Sequence, residues 1–89
     1  MSTDEINDKE MLKLGNDYKE QKDYDNMKKY YLLAIKNKNI EAMYCMSNYY
    51  KEQNDTINMM KYYLLACETS DPKNAYKNYK KGMKDIYGF

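Results

Sequence analysis

The segment KYYLLA occurs twice in this chain, at residues 29–34 and 61–66. When the sequence is shifted by 32 residues, 14 of the 23 positions in 14–36 are identical to those in 46–68, without a gap. A fixed period of 20–50 residues is typical of repeat architectures, in which each unit buries its apolar face against its neighbour. The sequence therefore predicts two stacked copies of one structural unit.

Each copy has the apolar periodicity of two helices. Met11, Leu14 and Tyr18 share one face of a leading helix, and Asp23 is placed to cap a trailing helix. In the trailing helices four leucines widen the apolar face, which predicts packing on two sides. These are Leu32, Leu33, Leu64 and Leu65.

A fifth helix is predicted after Asp71 as N-cap and Pro72 as first helical residue. The predicted fold class is all-α: a helical-hairpin solenoid of two repeats plus a C-terminal capping helix. We predict one domain over 1–89, with repeat one at about 5–37, repeat two at about 40–69 and the capping helix at about 72–86.

Four charged residues of the first copy become apolar in the second. The pairs are Lys13/Cys45, Asp17/Tyr49, Asp25/Ile57 and Lys28/Met60. The outer faces of terminal repeats are polar, whereas an inner repeat is covered on both sides. These positions of the second copy are therefore predicted to pack against the first copy or the fifth helix.

The segment LGNDYKEQKDYDNMKKYYLLAI resembles the tetratricopeptide repeat and the related Sel-one-like repeat. The resemblance covers roughly residues 9–85. Met11 stands where the family favours Trp, and the period is shorter than usual. The use of Tyr and Lys is similar to that of repeat proteins from giant viruses that infect amoebae, which implies a viral protein. The implied repeat core comprises Leu14, Gly15, Tyr18, Tyr31, Ala34, Met46, Tyr50, Tyr63 and Ala66.

The resemblance implies a protein-interaction module, an adaptor or scaffold, whose concave face is formed by the leading helices. The implied partner is another protein or peptide, and a host protein if the chain is viral. The family's inner-face positions correspond to Leu12, Asn16, Lys19, Tyr44, Asn48, Lys51, Tyr76 and Lys80. Tyrosine can stack, asparagine can pair with a peptide backbone and lysine can meet acidic groups.

Several alternatives stay open at this point. The family's carboxylate clamp would use Asn16, but Leu12 stands where its first lysine would be. An acidic N-terminal end with Asp4 and Glu5 could stack on the lysine-rich fifth helix, giving a self-assembling homo-oligomer. RNA binding through that helix lacks arginine and a basic net charge, which is +1. The remaining alternative is that Asn16, Asn48 and the lysines of the helices are only solvated surface groups without a binding role.

We predict no enzymatic activity, metal or cofactor. The chain has no histidine, no phosphate-binding glycine loop and no pair of cysteines at metal-ligand spacing. Cys45 and Cys67 are predicted to be small buried apolar residues in a reducing compartment. The polar N-terminal sequence and the lack of a long apolar run predict a cytoplasmic protein that does not bind a membrane.

Overall fold

The computed structural model describes residues 7–88 and confirms the all-α class, with no strand in that part of the chain. The helices are α1 (Asp8–Glu20), α2 (Tyr24–Lys36), α3 (Ile40–Glu52), α4 (Thr56–Ser70) and α5 (Ala75–Tyr87), with a 3-10 turn at Pro72–Asn74. Helices α1 and α2 pack as one hairpin and α3 and α4 as a second. Helix α3 also packs on α2, and α5 packs on α4.

The turn inside the first hairpin ends one helix and begins the next within three residues. Lys22 has a φ of 60°, and the Asp23 N–H donates to the Tyr18 carbonyl at 2.9 Å. This is the Schellman arrangement, which satisfies carbonyls at the end of α1. Asp23 then caps α2, because its Oδ1 accepts from the Asn26 N–H at 3.3 Å. Asp23 therefore closes the turn with its backbone N–H and starts the next helix with its side chain.

The second hairpin repeats this turn one period later. Asn54 has a φ of 59°, and the Asp55 N–H donates to the Tyr50 carbonyl at 2.9 Å. The Oδ1 of Asp55 accepts from the Asn58 N–H at 3.1 Å. The Asn58 Nδ2 also donates to Asp55 Oδ2 at 2.8 Å, and this bond, with the backbone one, holds the pKa of the Asp55 carboxyl below its usual value. The two turns, which lie in the repeated segments of the sequence, therefore have the same hydrogen bonds and a left-handed residue at the same position.

The N-caps of the leading helices share the same period. Asn7 begins α1, Asn39 begins α3 and Asp71 begins the 3-10 turn before α5. The Asn39 Oδ1 accepts from the Ala42 N–H at 2.8 Å, and its Nδ2 donates to Asp8 Oδ2 at 2.7 Å. The repeat therefore extends beyond the matched segments, into positions where Asn and Asp perform the same capping role.

Four methionines and one tyrosine are the largest fully buried side chains: Met27, Tyr31, Met43, Met46 and Met59. Methionine is flexible enough to fill the irregular space between hairpins. Among the predicted repeat-core residues, five are buried, namely Gly15, Tyr31, Ala34, Met46 and Ala66. The other four are half-buried, namely Leu14, Tyr18, Tyr50 and Tyr63.

Two glycines allow aromatic rings to lie against helix backbone. A Cβ atom on Gly15 would overlap the Tyr31 ring, and one on Gly82 would overlap the hydroxyl end of Tyr63. Ser47, which corresponds to Gly15, donates from its Oγ to the Met59 carbonyl at 2.9 Å. In the first hairpin, the Tyr31 ring therefore packs directly against the backbone of α1 at Gly15. In the second hairpin, the corresponding position makes a buried hydrogen bond through Ser47.

Four apolar positions of the second copy, which are charged in the first, were predicted to be covered by a neighbouring helix. The structure confirms this for three of them, and the prediction is wrong for Ile57. Tyr49 is buried, and Cys45 and Met60 are half-buried. Ile57, in the first turn of α4, is 82% exposed, so no helix within residues 7–88 covers it. Leu32, also predicted to be packed, is 45% exposed on a side of α2 that no helix within 7–88 covers.

Candidate functional site

The two leading helices α1 and α3 lie side by side in the same direction. At their N-terminal ends, Asn39 donates to Asp8 at 2.7 Å. At their C-terminal ends, Lys19 Nζ lies 4.0 Å from Glu52 Oε1. This ion pair is partly exposed and therefore adds little stability. The two contacts show that like ends of α1 and α3 lie near each other, so the two helices run in the same direction.

Seven of the eight residues predicted for the concave face are exposed or half-buried on α1, α3 and α5. We call these seven residues the leading-helix face. They are Asn16, Lys19, Tyr44, Asn48, Lys51, Tyr76 and Lys80.

Leu12 does not belong to this face, and its assignment to a binding surface is wrong. It is only 9% exposed and lies in the core cluster that also contains Ala42 and Tyr49 of α3. An apolar side chain in that position is covered by the neighbouring hairpin and cannot meet a partner. The burial of Leu12 also argues against a carboxylate clamp here, since the clamp needs an accessible cation at that position.

Asn16 is already engaged by the hairpin core. The Tyr31 hydroxyl donates to Asn16 Oδ1, and the Cys45 Sγ lies 4.0 Å from the same oxygen. Burial raises the pKa of Tyr31 above its usual value, with a further contribution from Cys45. Burial also raises the pKa of the Cys45 thiol, which outweighs the lowering by Tyr31 and Lys19. Both groups are thus neutral at neutral pH, and Cys45 lacks the thiolate character of a reactive cysteine.

Four tyrosines form a continuous series of ring contacts from α3 through α4 to α5. The ring centroids of Tyr44 and Tyr63 are 5.7 Å apart, those of Tyr63 and Tyr79 are 6.1 Å apart, and those of Tyr79 and Tyr76 are 6.4 Å apart. Lys80 Nζ lies 5.2 Å from the Tyr76 centroid, within cation–π range. We call Tyr44, Tyr63, Tyr76 and Tyr79 the tyrosine series.

The two ends of the tyrosine series are accessible. Tyr44 is 37% exposed and Tyr76 is 67% exposed, while the two inner rings are half-buried. Burial raises the pKa of Tyr44, Tyr63 and Tyr79 above the usual value, so their hydroxyls stay protonated at neutral pH. The family resemblance placed Tyr63 in the repeat core, and the structure has Tyr63 and Tyr79 half-buried. Their contacts with the exposed rings depend on how α5 docks.

Other tyrosines are paired in a way that repeats with the period. Tyr18 stacks on Tyr30 with ring centroids 5.4 Å apart, and Tyr50 stacks on Tyr62 at 5.8 Å. Lys29 and Lys61 lie over the trailing ring of each pair, at 5.5 and 5.4 Å. These pairs hold each hairpin together. They account for much of the tyrosine content without requiring a partner.

The described part of the N-terminal end has charges of both signs, whereas the segment of the fifth helix is rich in lysine. Asp4 and Glu5, which contribute to the predicted acidic end, lie outside the described residues. In α1 the exposed acids Glu10 and Asp17 are accompanied by Lys9 and Lys13, so this surface carries both signs. The five lysines of the fifth-helix segment are all exposed: Lys73, Lys77, Lys80, Lys81 and Lys84.

Within residues 7–88, no group of three or more His, Cys, Asp or Glu side chains is arranged to hold a metal ion. None of the helices in this part of the chain has the length and apolar character needed to cross a membrane. Comparison of the chain with models of protein families, with curated proteins and with solved structures finds no match.

Proposed function

We propose that this chain is a non-catalytic protein-interaction module that binds a peptide or protein segment through the leading-helix face. The observation that carries this proposal is the pair of accessible rings, Tyr44 and Tyr76, set one period apart on α3 and α5 and joined through the tyrosine series. Accessible aromatic residues on a rigid helical support are favourable anchors in protein interfaces.

The surroundings of the two rings suit a mixed polar and apolar partner. Lys80 and Lys51 supply cationic groups, and Asn48 supplies an exposed amide that can both donate and accept. The rings offer apolar area at a low cost in side-chain entropy, since tyrosine has few rotatable bonds. A segment with an apolar or aromatic side chain flanked by polar groups would satisfy both kinds of surface.

We further propose that the two hairpins are units of a tetratricopeptide-like solenoid. Its support is the agreement between the 32-residue sequence period and the periodic caps at Asn7, Asn39 and Asp71. The parallel contact of α1 with α3 is the arrangement expected when successive hairpins stack in register.

Affinity capture with the purified chain, from lysate of the cell in which it is naturally made, tests the proposed face. The variant Tyr44→Ala plus Tyr76→Ala should lose the captured partner, because both accessible anchors are removed. The matched control is Tyr24→Ala plus Tyr87→Ala, which removes two rings of 36% and 39% exposure elsewhere on the molecule. Circular dichroism melting of all proteins shows whether each variant remains folded.

Retention of the partner by the control and its loss by the first variant would support the leading-helix face. Undiminished capture by Tyr44→Ala plus Tyr76→Ala would show that the partner binds elsewhere. Equal loss in both variants would show that the effect is not specific to this face. Each captured partner is identified by mass spectrometry and its binding is then repeated with the purified proteins.

A further inference from the structure

The junction between α2 and α3 is filled by aromatic side chains. Tyr24 at the start of α2 packs on Tyr49 of α3, with ring centroids 5.3 Å apart. Lys28 Nζ lies 5.5 Å from the centroid of the same Tyr49 ring. The side chains of these two trailing-helix residues thus close the space beside α3.

The corresponding junction between α4 and α5 lacks these rings. One period later, Tyr24 becomes Thr56, Tyr49 becomes Lys81 and Lys28 becomes Met60. A groove of about 440 Å³ is present there, lined by Met60, Tyr79, Lys80, Lys81, Met83 and Lys84. We call it the α4/α5 groove. It is open because the two positions that carry rings at the inner junction carry smaller or more mobile side chains here.

The α4/α5 groove combines an apolar floor with a cationic rim. Met60, Tyr79 and Met83 form the apolar part, and methionine adapts readily to the shape of a partner. The three rim lysines are exposed, and none lies within 4.0 Å of a carboxylate oxygen in residues 7–88. Helix α5 has one acid, Asp85, beside these lysines. The rim therefore carries an excess of positive charge.

We infer that the α4/α5 groove is a second interaction surface, and that it takes an acidic amphipathic helix from another protein. A groove between two helices receives the apolar side chains of a third helix spaced three and four residues apart. Glutamates or aspartates beside those side chains would meet the rim lysines, which complement them in sign. This surface lies on the α4 side of α5 and is separate from the leading-helix face, with Lys80 bordering both.

A synthetic helical peptide tests this inference directly. The probe carries leucines spaced three and four residues apart and glutamates at the remaining positions, with a fluorescent label for anisotropy. Two matched peptides replace every leucine by serine or every glutamate by lysine. The leucine–glutamate peptide should bind, should bind more weakly as salt is raised because surface charges are screened, and should exceed both matched peptides.

The decisive variant fills the groove with the aromatic residues that occupy the corresponding positions of the α2/α3 junction. Thr56→Tyr plus Lys81→Tyr restores the residue types of the filled junction and should weaken peptide binding at least about tenfold, since the apolar floor is covered. Lys81→Gln plus Lys84→Gln should weaken it about fivefold through lost charge pairing. Lys73→Gln plus Lys77→Gln removes the same charge from the 3-10 turn and the first turn of α5, outside the groove, and should change binding less than about twofold.

Several outcomes would overturn the inference. Binding that falls in the two-glutamine groove variant but not in the refilled variant would indicate a general polyanion surface, which poly(U) RNA binding would reveal. Equal binding of the serine peptide would show that the floor is not used. Self-association of the free protein, abolished by refilling, would show that a second copy covers the groove. If the refilled variant fails to fold, the two lysine variants provide the test: equal binding by Lys81→Gln plus Lys84→Gln and by Lys73→Gln plus Lys77→Gln would contradict the inference.

The test distinguishes this surface from the proposed function. Tyr44→Ala alone, which removes a ring that contacts Tyr63 and does not line the groove, should leave peptide binding in the α4/α5 groove unchanged. The groove variants should still capture the partner of the leading-helix face. Loss of peptide binding in the tyrosine variant would contradict the separation of the two surfaces.

Discussion

At the scale of single residues, corresponding tyrosines of the two copies find different partners. Tyr31 is fully buried and lies over Gly15 within its own hairpin. Tyr63 is half-buried, and its hydroxyl end approaches Gly82 of α5. The position of Gly15 is occupied by Ser47 in the second copy, so the same close approach to a bare backbone is not offered there. The replacement of a hydrogen atom at Gly15 by a hydroxymethyl group at Ser47 thus accompanies a different ring environment.

Gly15→Ala should destabilise the fold by up to about 2 kcal/mol. Alanine is favoured over glycine in a helix by about 1 kcal/mol. The added Cβ would overlap the buried Tyr31 ring, however, and overpacking in a core costs about 1–3 kcal/mol. Because Tyr31 is enclosed on all sides, we expect the steric effect to prevail. Urea unfolding followed by circular dichroism measures the change.

Gly82→Ala is the matched control on α5. There the new Cβ would meet the hydroxyl end of Tyr63, a half-buried side chain that can move. We therefore expect a change in the free energy of unfolding within about 0.5 kcal/mol of zero, because the gain in helix propensity offsets the displacement. A stabilising effect of Gly15→Ala would contradict the close contact of ring and backbone.

At the scale of elements, three turns reuse one hydrogen-bond pattern without glycine. Lys22, Lys38 and Asn54 all occupy the left-handed region, with φ values of 60°, 61° and 59°. The turn after α4 differs, because Pro72 disfavours a helical conformation in Asp71, which has a φ of −149°. Helix α4 consequently runs to Ser70, and a 3-10 turn leads into α5.

Lys22→Asn should stabilise the first hairpin by about 0.5 kcal/mol. Residues with a side chain pay about 1–2 kcal/mol in the left-handed region, and asparagine tolerates it better than lysine. The second copy already has Asn54 at the corresponding position. Lys22→Val, which is β-branched, should instead lower the free energy of unfolding by about 1 kcal/mol. Chemical denaturation of the three proteins under one set of conditions provides the comparison.

Lys36→Asn provides a control with the same change of residue in the last turn of α2. Lys36 has helical geometry and favours the helix C-terminus by its charge, so asparagine there should be neutral or destabilising. An equal gain at both positions would show that the left-handed conformation is not the cause.

At the scale of the whole molecule, the stacking of hairpins gives a flattened shape. Its principal dimensions are 45 × 31 × 15 Å. Helix α3 packs on α2 and α5 packs on α4, so the two hairpins and α5 contact one another in chain order. In the proposed solenoid, stability is a sum of unit and neighbour terms, so it should increase with the number of units.

Insertion of a further copy of residues 40–71 directly after Asp71 should extend the array and raise Tm. Asp71 corresponds to Asn39, so the junction keeps an N-cap before the inserted helix. Small-angle scattering should show growth of the longest dimension with little change in the shortest. An insert of the same composition in shuffled order is the control. An unchanged or lower Tm for the ordered insert would contradict the stacked arrangement.

Several parts of the fold could be predicted from the sequence because they depend on neighbouring residues. The duplication and the apolar period indicated helical pairs, and Asp23, Asp55 and Asp71 marked helix starts through their capping chemistry. The family resemblance also placed Tyr44 and Tyr76 at accessible positions, and the structure has them 37% and 67% exposed. The helix starts and the apolar period needed only side chains within one turn of helix, whereas the repeat was found by a shift of 32 residues.

The sequence by itself determined the period, the helical hairpins and the caps, because each arises from interactions between residues close in the chain. Only the tertiary structure decided that Leu12 is buried and Ile57 exposed, although both are apolar residues on helices. It also decided that the α4/α5 junction stays open while the α2/α3 junction is filled. Such outcomes depend on which neighbouring helix covers a given face, and therefore on contacts distant in sequence.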